Sequence, residues 1–202
     1  MEILIATKNE AKIKKYSTML NTLGIGYKTL KDFDKDIDVE ETGNTSKENA
    51  IIKAKAYYKA FNVPVIVDDS ALILDKLPPE KQPGVFVRRA SDGRRMSDEE
   101  LINLYSKEIE EVGGETTGSF MIATSIVDEK GNIYTNERKH DRLFVSKPCQ
   151  ERNLGYPMNS LIYDKETNTY LAQVYEGQNI YKGNSFGNDL EFIKKVLIDE
   201  KV

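Results

Sequence analysis

Short apolar runs alternate with helical stripes over the first seventy residues, and that alternation leaves few folds open to the chain. Ile3 to Ala6 is a continuous apolar run of the kind that makes a buried strand. From Asn9 the spacing changes: Ile13, Tyr16, Leu20 and Leu23 recur at helical intervals, and Gly24 supplies the stop. Tyr27 to Leu30 reads as a second strand. Thr45-Ser46-Lys47-Glu48 is a capping box opening a helix whose stripe is Ala50, Ile51, Ala54, Tyr58 and Phe61. After Pro64, Val65-Ile66-Val67 is a buried strand that ends in Asp68-Asp69. Strand, helix, strand, helix, strand in that order predicts an α/β fold.

The remainder modifies this plan. Lys31 to Asn44 is an acidic loop with Asp32, Asp34, Asp36, Asp38, Glu40 and Glu41, and Leu74 to Gly93 is a loop rich in Pro and Arg. Ser97-Asp98-Glu99-Glu100 is a second capping box, starting a helix to about Val112. Thr117 to Val127 and Ile133 to Val145 predict an antiparallel pair turned at Glu129-Lys130-Gly131-Asn132, which makes the sheet mixed. A strand is expected near Leu161 to Tyr163, and Leu190, Ile193 and Leu197 give a closing helix its stripe. The 202 residues suffice for one domain of two lobes or for two small domains.

Composition narrows the function. Charges nearly balance at a formal −4, so nothing attracts nucleic acid or an anionic membrane surface. The single cysteine, Cys149, excludes an internal disulfide and a cysteine-built metal site, and a reducing compartment follows. The N-terminus reaches Lys8 too soon for a signal-peptide core, and no run is long enough to cross a bilayer, so a cytoplasmic location is expected.

Three segments carry chemistry. Thr7-Lys8-Asn9-Glu10-Ala11-Lys12 sits where strand turns to helix, and a helix N-terminus with a lysine one turn along receives phosphate well. The plainer reading is an ordinary N-cap at Asn9. Asp68-Asp69-Ser70 places two carboxylates at a strand end, where open α/β sheets bind ligands, and suits a Mg²⁺ ligand beside a partner that orients water. The alternative is a strand-ending Asx turn. Glu40-Glu41-Thr42-Gly43 is followed ten residues later by Lys53, which alone reads as a lysine snorkelling at the edge of an apolar stripe.

Together, ILIATKNEAKIKKYSTML, EETGNTSKENAIIKAKAYYKAFNVPVIVDDSAL and QPGVFVRRA resemble the inosine triphosphate pyrophosphatase family, the Ham-type enzymes. The resemblance is good over roughly the first ninety residues and looser beyond. It implies a single two-lobed α/β domain over residues 1–202, a central mixed sheet flanked by helices, a substrate cleft between the lobes, a homodimer, and Mg²⁺-dependent hydrolysis of nucleoside triphosphates to monophosphate and pyrophosphate. On that analogy Thr7, Asn9 and Lys12 hold the triphosphate and Lys53 neutralises it. Glu40 or Glu41, with Asp69, holds the metal and positions water, with Asp68 and Ser70 beside them. Arg89 matches a family arginine and is a candidate for substrate or for the dimer partner.

The second half departs from the family pattern. Its aromatic-Gly-aromatic-Asp-Pro stretch survives here only as Leu154-Gly155-Tyr156-Pro157, and Gln178 to Asn184 keeps an Asn but has no His-Arg pair. A pocket that has lost its polar base contacts relaxes or redirects base choice. Tyr156 still offers a stacking face, and Asn159, Asn179, Tyr181, Lys182 and Asn184 are replacement candidates. His140 among Lys139, Asp141 and Arg142 reads as a solvated histidine, and Cys149 as inert. Two other functions use the same residues: a nucleotide-binding regulatory protein without turnover, and a hydrolase of another phosphorylated small molecule.

Overall fold

The computed structural model describes residues 2–90, 92–174 and 184–199, which form two compact units. The first comprises Met1–Ser70, Ile122–Arg138 and Tyr181–Val202, the second Ala71–Met121 and Lys139–Ile180. A five-stranded sheet has the order β2-β1-β3-β4-β5, with β1 (Glu2–Ile5), β2 (Gly26–Thr29), β3 (Val65–Leu74), β4 (Glu115–Val127) and β5 (Ile133–Val145). β1 runs parallel to both β2 and β3, and β4 and β5 form the expected hairpin.

In the first unit, strand alternation sorts side chains onto two helical layers. Ile3, Ile5, Ile66 and Ile126 pack with Tyr16, Met19 and Leu20 of α1 (Glu10–Thr22) and with Ile193, Val196 and Leu197 of α5 (Asn184–Leu197). Leu4, Val65, Val67, Ala123 and Val127 face the other way, onto Ala50, Ala54 and Tyr57 of α2 (Ser46–Phe61). The small Ala50 and Ala54 let α2 lie close to the sheet, and Asn62 in the left-handed conformation (φ 53°) ends it. This sorting decides the site. Asp68 continues the Ile66 face toward α1, and Asp69 continues the Val67 face toward α2.

The second unit is built on α3 (Asp98–Glu111), whose Leu101, Ile102, Tyr105 and Ile109 pack with Leu72, Leu74, Phe144, Met158 and Leu161. A short antiparallel pair, β6 (Tyr163–Asp164) and β7 (Thr169–Tyr170), precedes the single-turn α4 (Leu171–Val174). Among the described residues no helix is long and apolar enough to cross a membrane.

Two local expectations change. The strand does not stop at Asp68-Asp69 but runs on to Leu74, because half-buried lysines pair with the carboxylates and the apolar Ala71-Leu72-Ile73-Leu74 continues the sheet. The second capping box forms completely at Ser97 and Glu100, whereas at α2 only Thr45 caps. Glu48 there accepts the N–H of Asn44 at 2.7 Å, one residue upstream of the expected partner. Ile66 is fully buried in the middle of the first unit. Ile66→Ala should therefore cost about 2–5 kcal/mol in urea unfolding.

Candidate active site

The site is assembled from the β1–α1 turn, the loop before α2, one turn of α2 and the middle of β3, all in the first unit. At the β1–α1 turn, Thr7 Oγ1 accepts the N–H of Asn9 at 3.2 Å, and Asn9 Oδ1 accepts that of Ala11 at 2.9 Å. The N-cap reading of Asn9 is thus correct as geometry, and it fixes the turn from which Lys12 projects. Lys12 Nζ lies 2.9 Å from Asp68 Oδ1.

On the opposite face of the sheet, Lys53 Nζ lies 3.1 Å from Glu41 Oε1 and 3.4 Å from Asp69 Oδ1. Asp69 Oδ1 also accepts the N–H of Ser70 at 2.8 Å. Lys53 is therefore no snorkelling lysine, since its ammonium is buried between two carboxylates. Of the adjacent glutamates, Glu41 turns inward, whereas Glu40 is exposed and is not brought to Lys53 or Asp69.

Burial and charge act differently on these groups. Burial drives the Asp68 carboxyl up, but Lys12 and Lys15 outweigh it and hold it below the usual carboxylate range. Burial also drives Asp69 up, and Lys53 and Lys12 offset only part of that, leaving it above the usual range. Burial pulls Lys53 down, yet Asp69 and Glu41 more than compensate and hold it above its ordinary value. Asp69 Oδ2 is buried and has no hydrogen-bond donor among the described residues. Asp69 is thus a carboxylate short of positive charge.

Arg89 and Tyr156 belong to the second unit, where Arg89 Nη1 donates to Gly93 O at 3.3 Å and the Tyr156 N–H donates to Asn153 O at 2.8 Å. Asn159 is buried and donates to Asn153 Oδ1 at 2.9 Å, which commits it to holding that loop. Arg88 also has a structural role: it donates to Asp98 Oδ1 and to Gly155 O, while Asp98 Oδ2 accepts the Gly155 N–H. Asn179, Tyr181 and Lys182 lie outside the described residues.

Sequence reasoning missed Asn49, Lys15, Arg138 and Asp189. Asn49 Oδ1 accepts the N–H of Gly43 at 2.7 Å and anchors the loop that carries Glu41. Asp189 stands on the same face of α5 as Ile193, a charge on an apolar stripe and so a legible signal. Gly43 has no room for a side chain: a Cβ there would lie 2.6 Å from Glu48 Cβ and 2.7 Å from Asn49 Oδ1. Gly43→Ala should cost about 1–3 kcal/mol in denaturant unfolding, because the loop must shift to clear those atoms.

The chain is similar to known proteins in sequence and in fold. The model of the Ham1 family matches residues 3–179. A Bacillus licheniformis protein named dITP/XTP pyrophosphatase is 32% identical over 202 residues, covering 98% of both chains. A protein of the same name from Halalkalibacterium halodurans is 38% identical over 156 residues, 77% of this chain and 79% of its own. The solved structure of a HAM1 protein from Coxiella burnetii superposes with a TM-score of 0.78 at 25% identity, covering 97% of this chain and 98% of that one. The chain belongs to the Ham1 family.

Proposed function

We propose that the chain hydrolyses nucleoside triphosphates carrying non-standard purine bases to the monophosphate and pyrophosphate. The observation that carries this reading is the pair of lysine–carboxylate contacts on opposite faces of one strand, Lys12 with Asp68 and Lys53 with Asp69 and Glu41. A site that only bound a polyanion would gain nothing from these carboxylates, so they favour turnover over a regulatory nucleotide binder. The names of the relatives, dITP/XTP pyrophosphatase, support this substrate class.

The donor set fits Mg²⁺. This ion is commonly held by one or two carboxylates together with water and substrate phosphates. Among the described residues no group of three or more metal-ligating side chains converges, while Asp69 presents a buried, unpartnered Oδ2 and Glu41 shares its lysine. Glu41 and Asp69 would hold the ion, and Glu40 is set aside. Bound there, the ion would neutralise phosphate charge and lower the pKa of water.

The chain's own residues do the rest. Thr7, Asn9 and Lys12 orient the triphosphate at the start of α1, and Lys53 neutralises it from α2. Asp68, kept ionised, accepts a proton from the attacking water. A P–O bond forms at the α-phosphorus, the bond to the bridging oxygen breaks, and pyrophosphate leaves in line. Positioning and charge neutralisation account for most of such a reaction. Ser70 steadies Asp69, and Tyr156, Arg89, Asn179 and Lys182 are assigned to the nucleoside side. With Leu154 exposed and Pro157 in the place of the family aspartate, base choice is relaxed or redirected within that class. We treat residues 1–202 as one Ham-type domain that acts as a cytoplasmic homodimer, and sedimentation of the purified protein tests the dimer.

A panel of inosine, xanthosine, standard and modified pyrimidine triphosphates, with phosphate and pyrophosphate measured separately, tests the reaction. Pyrophosphate should appear in step with monophosphate, EDTA should abolish it, and orthophosphate alone would contradict the proposal. Asp69→Asn and Lys53→Met should each lower kcat by about 100-fold or more without unfolding the protein.

A further inference from the structure

Behind the Lys12–Asp68 pair lies a second group of buried charges that the mechanism above leaves unused. Lys15 follows Lys12 by three positions on α1, so the two side chains leave neighbouring points of one helix face. Asp189 on α5 meets Lys15 with Oδ2 2.8 Å from Nζ, and its Oδ1 is ion-paired with Arg138 Nη1 of β5. Arg138 Nη2 donates to Thr124 Oγ1 at 3.2 Å, and that hydroxyl shares a hydrogen bond with Tyr16 OH at 3.1 Å. Asp189 and Thr124 are fully buried, and Arg138 is nearly so.

Stability alone is a weak reason for such a cluster, since desolvating buried ions offsets most of their attraction. Its arrangement matters more. Three basic side chains, Lys12, Lys15 and Arg138, face two carboxylates, Asp68 and Asp189. Asp68 feels the charge of both lysines, though its contact is with Lys12. Asp189 takes up two of the three basic side chains.

We propose that Asp189 is a positioning residue that sequesters Lys15 and Arg138, leaving Asp68 to Lys12 alone and fixing the Lys12 ammonium where it meets the phosphate chain. This rests on the assignment of Lys12 and Asp68 to the phosphate side of the site. Without the Asp189 charge, Lys15 turns to Asp68 and competes with Lys12.

The test compares wild type with Asp189→Asn, Lys15→Met and the double variant, measuring kcat and KM for pyrophosphate release and checking folding by circular dichroism and Tm. Asp189→Asn should lower kcat/KM by about ten-fold or more, because a small misplacement of a phosphate-binding group is costly. Lys15→Met alone should stay within about three-fold of wild type, and in the Asp189→Asn background it should recover most of the lost activity while Tm stays low. A folded Asp189→Asn protein with wild-type kcat/KM, or a loss that Lys15→Met does not relieve, overturns the proposal. If Asp189→Asn does not fold, or if wild type releases no pyrophosphate and the reaction itself is misassigned, side-chain ammonium NMR of wild type decides the pairing. Coupling of Lys15 Nζ to the Asp189 carboxyl carbon and of Lys12 Nζ to that of Asp68 supports it, and coupling of Lys15 to Asp68 overturns it.

Discussion

The Lys53 ammonium, buried between Glu41 and Asp69, is the interaction on which the site depends. A carboxylate inside a sheet is strongly disfavoured unless a cation meets it, and β3 carries two in succession. Alternation along the strand solves the problem by sending them to opposite faces, where each finds a lysine from a different helix: Lys12 of α1 for Asp68 and Lys53 of α2 for Asp69. Remove Lys53 and Asp69 loses the cation that stands against it. The same geometry that makes the strand tolerable sets positive charge on both sides of it.

The two carboxylates are not equivalent. Asp68 is held below the usual range by Lys12 and Lys15, while Asp69 stays above it. Lysine charge outweighs burial at the first, whereas at the second burial prevails and Oδ2 has no hydrogen-bond donor among the described residues. The division of labour proposed for these adjacent acids, one working on water and one on a cation, rests on where they sit rather than on what they are. The surrounding apolar layers, Ile66 toward α1 and Val67 toward α2, hold both in register.

Much of this was legible in the residues. The alternation of strand and helix gave the α/β sheet, and the structure pairs Lys12 with Asp68 and Lys53 with Asp69, while Thr7 and Asn9 shape the β1–α1 turn. The extent of β3 was hidden, because Asp-Asp-Ser reads as a turn until the lysines opposite it are known. The choice between Glu40 and Glu41 was equally hidden: adjacent loop residues carry no periodicity, and only the Gly43–Asn49 hydrogen bond and the cramped Gly43 fix which one points inward. Asp189 could have been flagged from its apolar stripe, but Lys15 and Arg138 carry no such mark, because they meet it from distant segments only in the fold.

The most direct measurement is a crystal structure of the protein with Mg²⁺ and a triphosphate whose α,β-bridging oxygen is replaced by an imido group. The account requires the metal to be ligated by Asp69 and Glu41, with phosphate oxygens in hydrogen-bonding reach of Lys12 and Lys53. A nucleotide bound with its phosphates away from both lysines, or a metal that Asp69 does not touch, would contradict it.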